Sequence, residues 1–434
     1  MPPRSRPLRI ALLTYRGNPR SGGQGVYTRY LSAQLVEMGH QVTVFAGQPW
    51  PVLDDGVDFV PVPSLDLYRE PDPFRIPAPA EFRTWIDALE FGLMCTAGFP
   101  EPLTFSLRAR RALAARVDRF DVVHDNQCFG RGMLGMMRDG WPLLCTLHHP
   151  ITVDRSLDLA HASDRRRRIS LRRWYGFLGM QMQVARQMPR IVTVSESSKR
   201  DLAEQMGIQP DRVAVVPIGV DPMRFKPIPS VARIPGRIMT TASADVPLKG
   251  LVPLLEGLAK LRTERRADLL VVGRPRADSR VGETIERLGL ADAVSFVSDV
   301  SDDRLVELYA EASVAVVPSL YEGFSLPAIE AMACGVALVA TTGGALPEVV
   351  GTDGETGLLV PPGDPGALAW ALGRVLDDPA LNRRLAEAGR RRALDRYTWR
   401  ACAEGTVEHY RWVLDRHAEQ SRQAGRSGGH AEPC

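Results

Sequence analysis

The 434-residue sequence lacks a long apolar run, paired cysteines and any strong excess of charge. No run approaches the ~18 apolar residues of a membrane helix, and the apolar stretch near the amino terminus is too brief for a signal peptide. The six cysteines form no CxxC pair, which favours free thiols in a reducing compartment. A formal net charge of +3 is too small to indicate a nucleic-acid partner. We therefore expect a cytoplasmic protein that binds no nucleic acid.

What the sequence does contain is enough apolar material for two domains. Hydrophobic residues make up 44% of the chain, which suffices for two ordinary cores. Short apolar strands alternate with helical patterns twice, and this alternation predicts an α/β fold with parallel sheets. Four prolines within residues 222–235 give the stiff composition of a connector between the two halves. Strands of the second half are predicted near residues 237–242, 268–272, 294–297, 314–317, 336–340 and 357–360.

Two carboxylates stand around a predicted helix start in the second half. Ser325 and Pro327 predict the cap and first turn of a helix that follows the strand at 314–317. Glu322 lies in the loop before this helix, and Glu330 lies about one turn inside it. Amides at a helix start suit phosphate and carboxylates accept hydrogen bonds from hydroxyls, so the pattern fits a sugar nucleotide. Alternatively, Glu322 caps the loop and Glu330 is a solvated helix residue.

The first half carries a weaker phosphate signal and a histidine at a strand end. A strand at residues 8–14, the glycine loop with Gly22 and Gly23, and a helix follow one another, which is typical of a phosphate cradle but also of an ordinary turn. His148 stands among the polar residues that end the apolar strand beginning at Leu143, and ligands bind beyond the carboxyl ends of parallel strands. A histidine at such a position is otherwise a satisfied polar residue.

Two further segments of the first half have two interpretations each. Residues 49–102 hold ten prolines and scattered aromatic residues, which predicts an irregular insertion that either contacts an acceptor or packs its aromatic side chains on the domain. Residues 165–173 include six arginines. This run predicts either contact with an anionic partner, which is a weak peripheral membrane contact from Arg165 to Arg173 or a negatively charged acceptor, or else a solvated basic helix.

The motif Glu322-Gly-Phe-Ser-Leu-Pro, with Glu330 after seven intervening residues, resembles the retaining GT-B glycosyltransferases of family 4. The resemblance continues into Gly343 and Gly344 and extends in weaker form over residues 8–415. It implies two Rossmann-like domains that face each other across a cleft, with a carboxyl-terminal helix that crosses back to the first domain. The predicted segments are an acceptor-side domain (1–222), a donor domain (223–395), the cross-over helix (396–417) and a disordered tail (418–434).

The resemblance also implies a role for each matching residue. His148 contacts the donor sugar beside the reacting carbon, Lys249 neutralises the leaving diphosphate, and Glu322 holds hydroxyls of the donor sugar. A lysine here is unexpected by composition, because only four of the 54 basic residues are lysines. The remaining predicted donor-binding residues are Gly22, Gly23, Arg274, Gly323, Phe324, Ser325, Leu326 and Glu330, of which Glu330 binds the ribose hydroxyls.

The sequence departs from the family pattern at two positions. Ala244 stands where the family has an arginine on the phosphates, and Arg274, after a neighbouring strand, is a candidate substitute. The second histidine of the family's His-x-His pattern is replaced, since the match is His124-Asp-Asn126. These departures leave the role of His124 open.

The implied activity is transfer of a sugar from a nucleoside diphosphate, with a UDP-sugar slightly favoured, to an unknown acceptor hydroxyl with retention of configuration. No DxD-like pair ends a strand, because Asp302 and Asp303 predict a helix start, so we expect no required metal or cofactor beyond the sugar nucleotide. Two alternatives remain. One is another GT-B enzyme such as a sugar-nucleotide epimerase, and the other is a nucleotide-sugar-binding protein without turnover.

Overall fold

The computed structural model describes residues 6–18, 23–69, 71–116, 120–160, 162, 164–241, 246–274 and 280–427. Their contacts divide the chain into two compact units. The first unit comprises the described residues up to Thr193, Lys199–Val216 and the chain from Ala403 onward. The second comprises Val194–Ser198 and Pro217–Cys402.

The first unit is built on a parallel sheet of seven strands in its described part, in the order β3-β2-β1-β4-β5-β6-β7. The strands are β1 (Arg9–Thr14), β2 (Gln41–Ala46), β3 (Asp58–Pro61), β4 (Val122–Asn126), β5 (Leu143–Thr146), β6 (Ile191–Thr193) and β7 (Val213–Val215). The central strands are buried on both faces, as the near-continuous apolar runs of β1 and β2 require.

Helices connect these strands. They are α1 (Gln24–Glu37), α2 (Trp85–Cys95), α3 (Glu101–Ala114), α4 (Gly132–Arg138), α5 (Thr152–Ala160), α6 (Arg165–Trp174), α7 (Phe177–Ala185) and α8 (Glu196–Met206). The predicted irregular insertion at 49–102 is wrong in part, because β3 and α2 lie inside it. The prolines hid both elements. They cluster outside α2, whose start is fixed by Asp87, which accepts hydrogen bonds from the amide and the hydroxyl of Thr84.

The second unit has a parallel sheet of six strands within the described residues, in the order β10-β9-β8-β11-β12-β13. The strands are β8 (Arg237–Thr241), β9 (Asp268–Val272), β10 (Val294–Val297), β11 (Val314–Val317), β12 (Leu338–Thr341) and β13 (Leu358–Val360). Each of the six strands expected in this half is present, with ends that differ from the expectation by at most two residues.

Its helices are α9 (Leu251–Arg262), α10 (Arg280–Leu288), α11 (Asp302–Glu311), α12 (Leu326–Ala333), α13 (Leu346–Val350), α14 (Pro365–Asp377), α15 (Pro379–Arg396) and α16 (Trp399–Ser427). Asp302 and Asp303 do begin a helix, which Ser301 caps through the amide of Arg304. The apolar core lies between the sheet and its helices and includes Leu254, Leu258 and Leu372, all fully buried.

The last helix, α16, joins the two units in sequence. From Ala403 onward it belongs to the first unit, where the Tyr410 hydroxyl lies 2.7 Å from His124 Nδ1. The predicted disordered tail from residue 418 is wrong for residues 418–427, since α16 continues to Ser427. This segment is polar, which suggested disorder, but its Ala, Glu, Gln and Arg residues have high helix propensity and no proline interrupts it.

Candidate active site

The predicted diphosphate-binding loop joins β11 to α12 and is fixed by two neighbouring loops. The amide of Leu320 donates to the carbonyl of Leu248 after β8 (2.7 Å), and the amide of Ala345 after β12 donates to the carbonyl of Glu322 (2.8 Å). Three strands of one sheet therefore contribute to one rigid loop cluster. It lies beyond the carboxyl ends of the strands, where parallel sheets bind ligands.

Glycine is required at two of these approaches. A Cβ at Gly250 would lie 1.9 Å from the carbonyl oxygen of Pro318, and one at Gly344 would lie 2.2 Å from the carbonyl oxygen of Glu322. Both glycines also have a positive φ, of 66° and 64°. The turn at Gly343 and Gly344 thus supports the Glu322 loop from the side of β12.

Lys249 and Glu322 form an ion pair at the centre of this cluster. Lys249 Nζ lies 2.9 Å from Glu322 Oε1, which also accepts a hydrogen bond from the Ser319 hydroxyl at 2.7 Å. The Lys249 side chain is 31% exposed and that of Glu322 is 12% exposed. The two predicted catalytic groups therefore hold each other in place, and the ammonium group still reaches solvent.

The start of α12 is backbone-strained. Ser325 has φ 108° and ψ 91°, a region that non-glycine residues rarely adopt, and its hydroxyl accepts a hydrogen bond from the amide of Ala328 at 3.4 Å. Phe324 is buried and its ring contacts Tyr397 at 5.3 Å between centroids. The side chains of Phe324 and Ser325 are thus used within the protein, and any ligand contact of theirs is through the backbone amides.

Glu330 lies one turn into α12 beside a buried tyrosine. Its Oε2 accepts a hydrogen bond from the Tyr309 hydroxyl at 3.2 Å, and this hydroxyl also contacts Thr241 Oγ1 at 3.2 Å. Burial raises the pKa of Glu330 to about 7, with a smaller contribution from the charge of Asp302. A carboxyl group with this pKa changes its charge near neutral pH, and the hydrogen bonds that it accepts from hydroxyls depend on that charge.

His148, in the first unit, is held by Asn126 at the end of β4. Asn126 Nδ2 donates to the carbonyl of Gln24 (3.2 Å) and to Thr28 Oγ1 (3.1 Å), so its Oδ1 accepts from His148 Nε2 at 2.8 Å. The neutral imidazole accordingly carries its proton on Nε2. Burial lowers the pKa of His148 to about 3, with a smaller effect of His149, so the ring is uncharged at neutral pH.

His124 has a different role from that of His148. It is fully buried between the Tyr410 hydroxyl (2.7 Å) and Thr146 Oγ1 (2.7 Å), and Thr146 also contacts the Tyr27 hydroxyl at 3.1 Å. Burial lowers the pKa of His124 to about 3. This histidine attaches α16 to the sheet of the first unit, which answers the question that the sequence left open.

The other predicted site residues are less informative. Gly23 caps α1 with φ 74°, while Gly22 and Ala244 lie outside the described residues. Arg274 follows β9 with a side chain 75% exposed, and its guanidinium contacts Asp299 (2.9 Å) and Ser298 (3.2 Å). Gly323 and Leu326 are half-buried at the start of α12. Their roles stay predictions.

Sequence reasoning missed the partners of its own candidates. Asn126 orients His148, Tyr309 contacts Glu330, and Ser195 and Ser198 donate to the carbonyl of Gly323 at 2.7 and 3.1 Å. The position of Asn126 was noted only as a missing histidine. Its place at the end of β4, next to the strand that precedes His148, was the available signal.

Membrane spans and metal clusters are both absent from the described part of the chain. None of the helices in this part is long and apolar enough to cross a bilayer. Within the same residues, no group of three or more His, Cys, Asp and Glu side chains is arranged to hold a metal ion.

Comparison with known proteins agrees with this architecture. The family model described as "Glycosyltransferase Family 4" matches residues 21–224, and the model described as "Glycosyl transferases group 1" matches residues 232–392. An "MMP alpha-(1->4)-mannosyltransferase" of Mycolicibacterium hassiacum is 52% identical over 410 residues, which cover 94% of this chain and 99% of the relative. The chain belongs to the family 4 glycosyltransferases. It is a glycosyltransferase enzyme, as the resemblance predicted.

More distant relatives support the same assignment. A "D-inositol 3-phosphate glycosyltransferase" of Kineococcus radiotolerans is 32% identical and covers 95% of this chain and 97% of its own length. Among solved structures, sucrose-phosphate synthase from Thermosynechococcus elongatus matches with TM-score 0.73 at 24% identity, covering 94% of this chain and 99% of that one. A glycosyltransferase from Rickettsia africae matches with TM-score 0.63 at 18% identity, covering 94% and 99%. These structures support the fold, and the predicted GT-B class with two Rossmann-like domains is confirmed.

Proposed function

We propose that this enzyme transfers a mannosyl residue from a nucleoside-diphosphate donor to the 4-hydroxyl of a sugar acceptor, with retention of the anomeric configuration. The observation that carries the proposal is the high similarity, over nearly the whole length of both chains, to a relative named as an α-(1→4)-mannosyltransferase. The paired Lys249 and Glu322 beside the start of α12 are the groups that such a donor needs.

The chemistry of the second unit follows from charge. When the bond between the sugar carbon and the phosphate oxygen breaks, negative charge grows on the diphosphate. Lys249 and the amides at the start of α12 stabilise this charge, and pre-organised donors lower a barrier most where charge develops. Once the ammonium binds phosphate, the Glu322 carboxylate accepts hydrogen bonds from hydroxyls of the donor sugar. Glu330 accepts those of the ribose.

Retention follows from attack on the face that the diphosphate leaves. The acceptor oxygen bonds to the sugar carbon on that face, and its proton passes to the departing phosphate oxygen. We propose that His148 contacts the donor sugar, the role that the resemblance implies. Its uncharged ring adds no positive charge next to the carbon that becomes electron-poor. We expect no metal requirement, so added EDTA leaves the rate unchanged.

A thermal-shift panel followed by a release assay tests the proposal. UDP-, GDP- and ADP-sugars are compared on wild type and Glu330→Ala, because a ligand that binds only the folded state raises the melting temperature. The panel includes UDP-glucose, UDP-mannose and GDP-mannose, so the expected uridine preference is tested directly. Release of nucleoside diphosphate that requires a mannoside acceptor supports the proposal. Isomerised nucleotide sugar, or stabilisation without any release, contradicts it.

A further inference from the structure

Five aromatic side chains of the first unit form a cluster at the surface. They are Tyr68, Phe74, Phe99, Trp174 and Phe177, and we call them the aromatic cluster. Trp174 lies at its centre, with ring centroids 5.0 Å from Phe99, 5.5 Å from Tyr68 and 6.4 Å from Phe74. Phe74 is 59% exposed, and the other four are half-buried. An aromatic group of the core, such as Phe45 and Phe105 in the same unit, is buried instead.

A charged pair borders this cluster. The guanidinium of Arg16 lies over the rings of Tyr68 (5.7 Å) and Phe99 (5.6 Å), and it donates to both carboxylate oxygens of Glu101 at 2.5 and 2.9 Å. The Arg16 side chain remains 38% exposed. The charges of Arg16 and Glu101 neutralise each other. The cluster therefore presents apolar ring faces next to a polar pair that carries no net charge.

Contacts link the aromatic cluster to His148. Tyr15, directly after β1, has its ring 6.5 Å from Phe99, and its hydroxyl accepts from Gln24 Nε2 at 3.3 Å. The carbonyl of Gln24 accepts from Asn126, which binds His148. The cluster therefore borders the loop that follows β1 at the carboxyl edge of the sheet, and Tyr15, Gln24 and Asn126 link it to His148.

We infer that the aromatic cluster, together with Arg16 and Glu101, is the binding site for a neutral oligosaccharide acceptor. This inference rests on the proposed function. Sugar rings present C–H faces that pack on aromatic rings, and their hydroxyls need polar partners at the rim. The partly exposed Arg16, which Glu101 holds in place, supplies such a partner. Part of the predicted insertion, residues 49–102, thus contributes to acceptor recognition through Tyr68, Phe74, Phe99 and Glu101.

The test measures acceptor binding apart from turnover. An α-(1→4)-linked manno-oligosaccharide is titrated by calorimetry into wild type, Trp174→Ala and Trp174→Phe, each saturated with nucleoside diphosphate. We expect Trp174→Ala to weaken binding about tenfold, as the loss of an aromatic contact does, and Trp174→Phe to restore most of it. Trp370→Ala is the matched control, because Trp370 is an exposed tryptophan of the second unit that stacks on Arg374 at 4.8 Å.

Kinetics give the second readout. Trp174→Ala is expected to raise the acceptor KM about tenfold while the donor KM and the release of nucleoside diphosphate to water stay unchanged. Equal oligosaccharide affinity in wild type and Trp174→Ala overturns the inference. The inference is also overturned if Trp174→Ala loses binding to anionic vesicles but keeps its oligosaccharide affinity. The cluster would then bind a membrane surface together with the arginines of α6.

The outcomes separate the inference from the proposed function. If wild type transfers no mannose, the proposed function fails, while calorimetry still decides whether the aromatic cluster binds the oligosaccharide. If transfer occurs and Trp174→Ala changes neither readout, the proposed function stands and the acceptor site lies elsewhere. Melting temperatures within about 3 °C of wild type exclude unfolding as the cause of lost binding.

Discussion

The residues around Glu322 in the second unit and those around His148 in the first differ in charge. Lys249, Glu322 and Glu330 are ionisable groups that partly reach solvent, whereas His148 contacts the neutral amide of Asn126 and is itself uncharged. This difference follows from residue type, and burial keeps the His148 ring neutral by lowering its pKa. In the proposed function, the charged groups bind the diphosphate, which gains negative charge, and the neutral histidine binds the donor sugar.

Removal of Lys249 gives the largest expected effect. Lys249→Ala deletes the ammonium group that we propose as the stabiliser of the leaving diphosphate, and it leaves Glu322 without its ion-pair partner. We expect kcat to fall by roughly 10²–10³, as for loss of one donor to a developing oxyanion. Steady-state kinetics measure it. Lys260→Ala, at the exposed end of α9, is the matched control, and a kcat of Lys249→Ala near that of wild type would contradict the charged role.

A change of Asn126 tests the neutral side of the comparison. Asn126→Asp places a carboxylate beside His148 Nε2, which raises the pKa of the imidazole toward neutrality. We expect kcat/KM at pH 7 to fall about tenfold, because the ring gains a positive charge where the proposed function needs it neutral, and the pH–rate profile to gain an ionisation that wild type lacks. Asn126→Gln, which keeps a neutral amide, should show no such ionisation. An unchanged profile in Asn126→Asp would remove the argument for a neutral histidine.

Glu330 gives a smaller, pH-dependent effect. Its pKa of about 7 in the folded protein exceeds the ordinary value of 4.5, so folding favours the protonated form. This contribution to stability is fully present below pH 4.5 and is lost as the pH rises through 7. With partial exposure taken into account, we expect the ligand-free Tm to fall by about 2 °C more between pH 5 and 8 than in Glu330→Gln. Parallel Tm profiles of the two proteins would show that Glu330 ionises normally.

The smallest effect is expected at Arg274. It already contacts Asp299 and is largely exposed, so a role on the phosphates contributes little. Arg274→Ala should raise the donor KM about threefold and leave the acceptor KM unchanged. Asp299→Ala, which frees the guanidinium, should lower the donor KM or leave it constant. A donor KM unaffected by Arg274→Ala ends the proposal that it replaces the family arginine.

The sequence predicted the second unit better than the first for a physical reason. Glu322, Ser325 and Glu330 lie within one strand–loop–helix segment, so their geometry follows from local rules for caps and strand ends. The residues around His148 come from β4, α1 and β5, which are far apart in sequence. No local sequence pattern indicates that these three elements meet. The pairing of Lys249 with Glu322, 73 residues apart, was equally invisible, although each residue was singled out.

The predicted boundaries of two segments were wrong because their amino-acid composition was misleading. Proline content concealed β3 and α2, and the polar residues of 418–427 concealed the end of α16. In both cases helix or strand formation depends on local capping and propensity more than on how apolar the segment is. The aromatic residues of the insertion are visible in the sequence. Their contacts with Trp174 and Arg16 could not be predicted, because these residues are distant in sequence and meet only in the folded chain.

The structure of the product tests the proposed transfer of mannose with retention. Wild type is incubated with the α-linked nucleoside-diphosphate mannose that stabilises it and with an α-(1→4)-linked manno-oligosaccharide, and the product is examined by NMR. We expect one additional mannosyl residue, joined to a 4-hydroxyl with α configuration. A β-linked product would contradict retention, and nucleotide release without any new glycosidic bond would contradict the transferase itself.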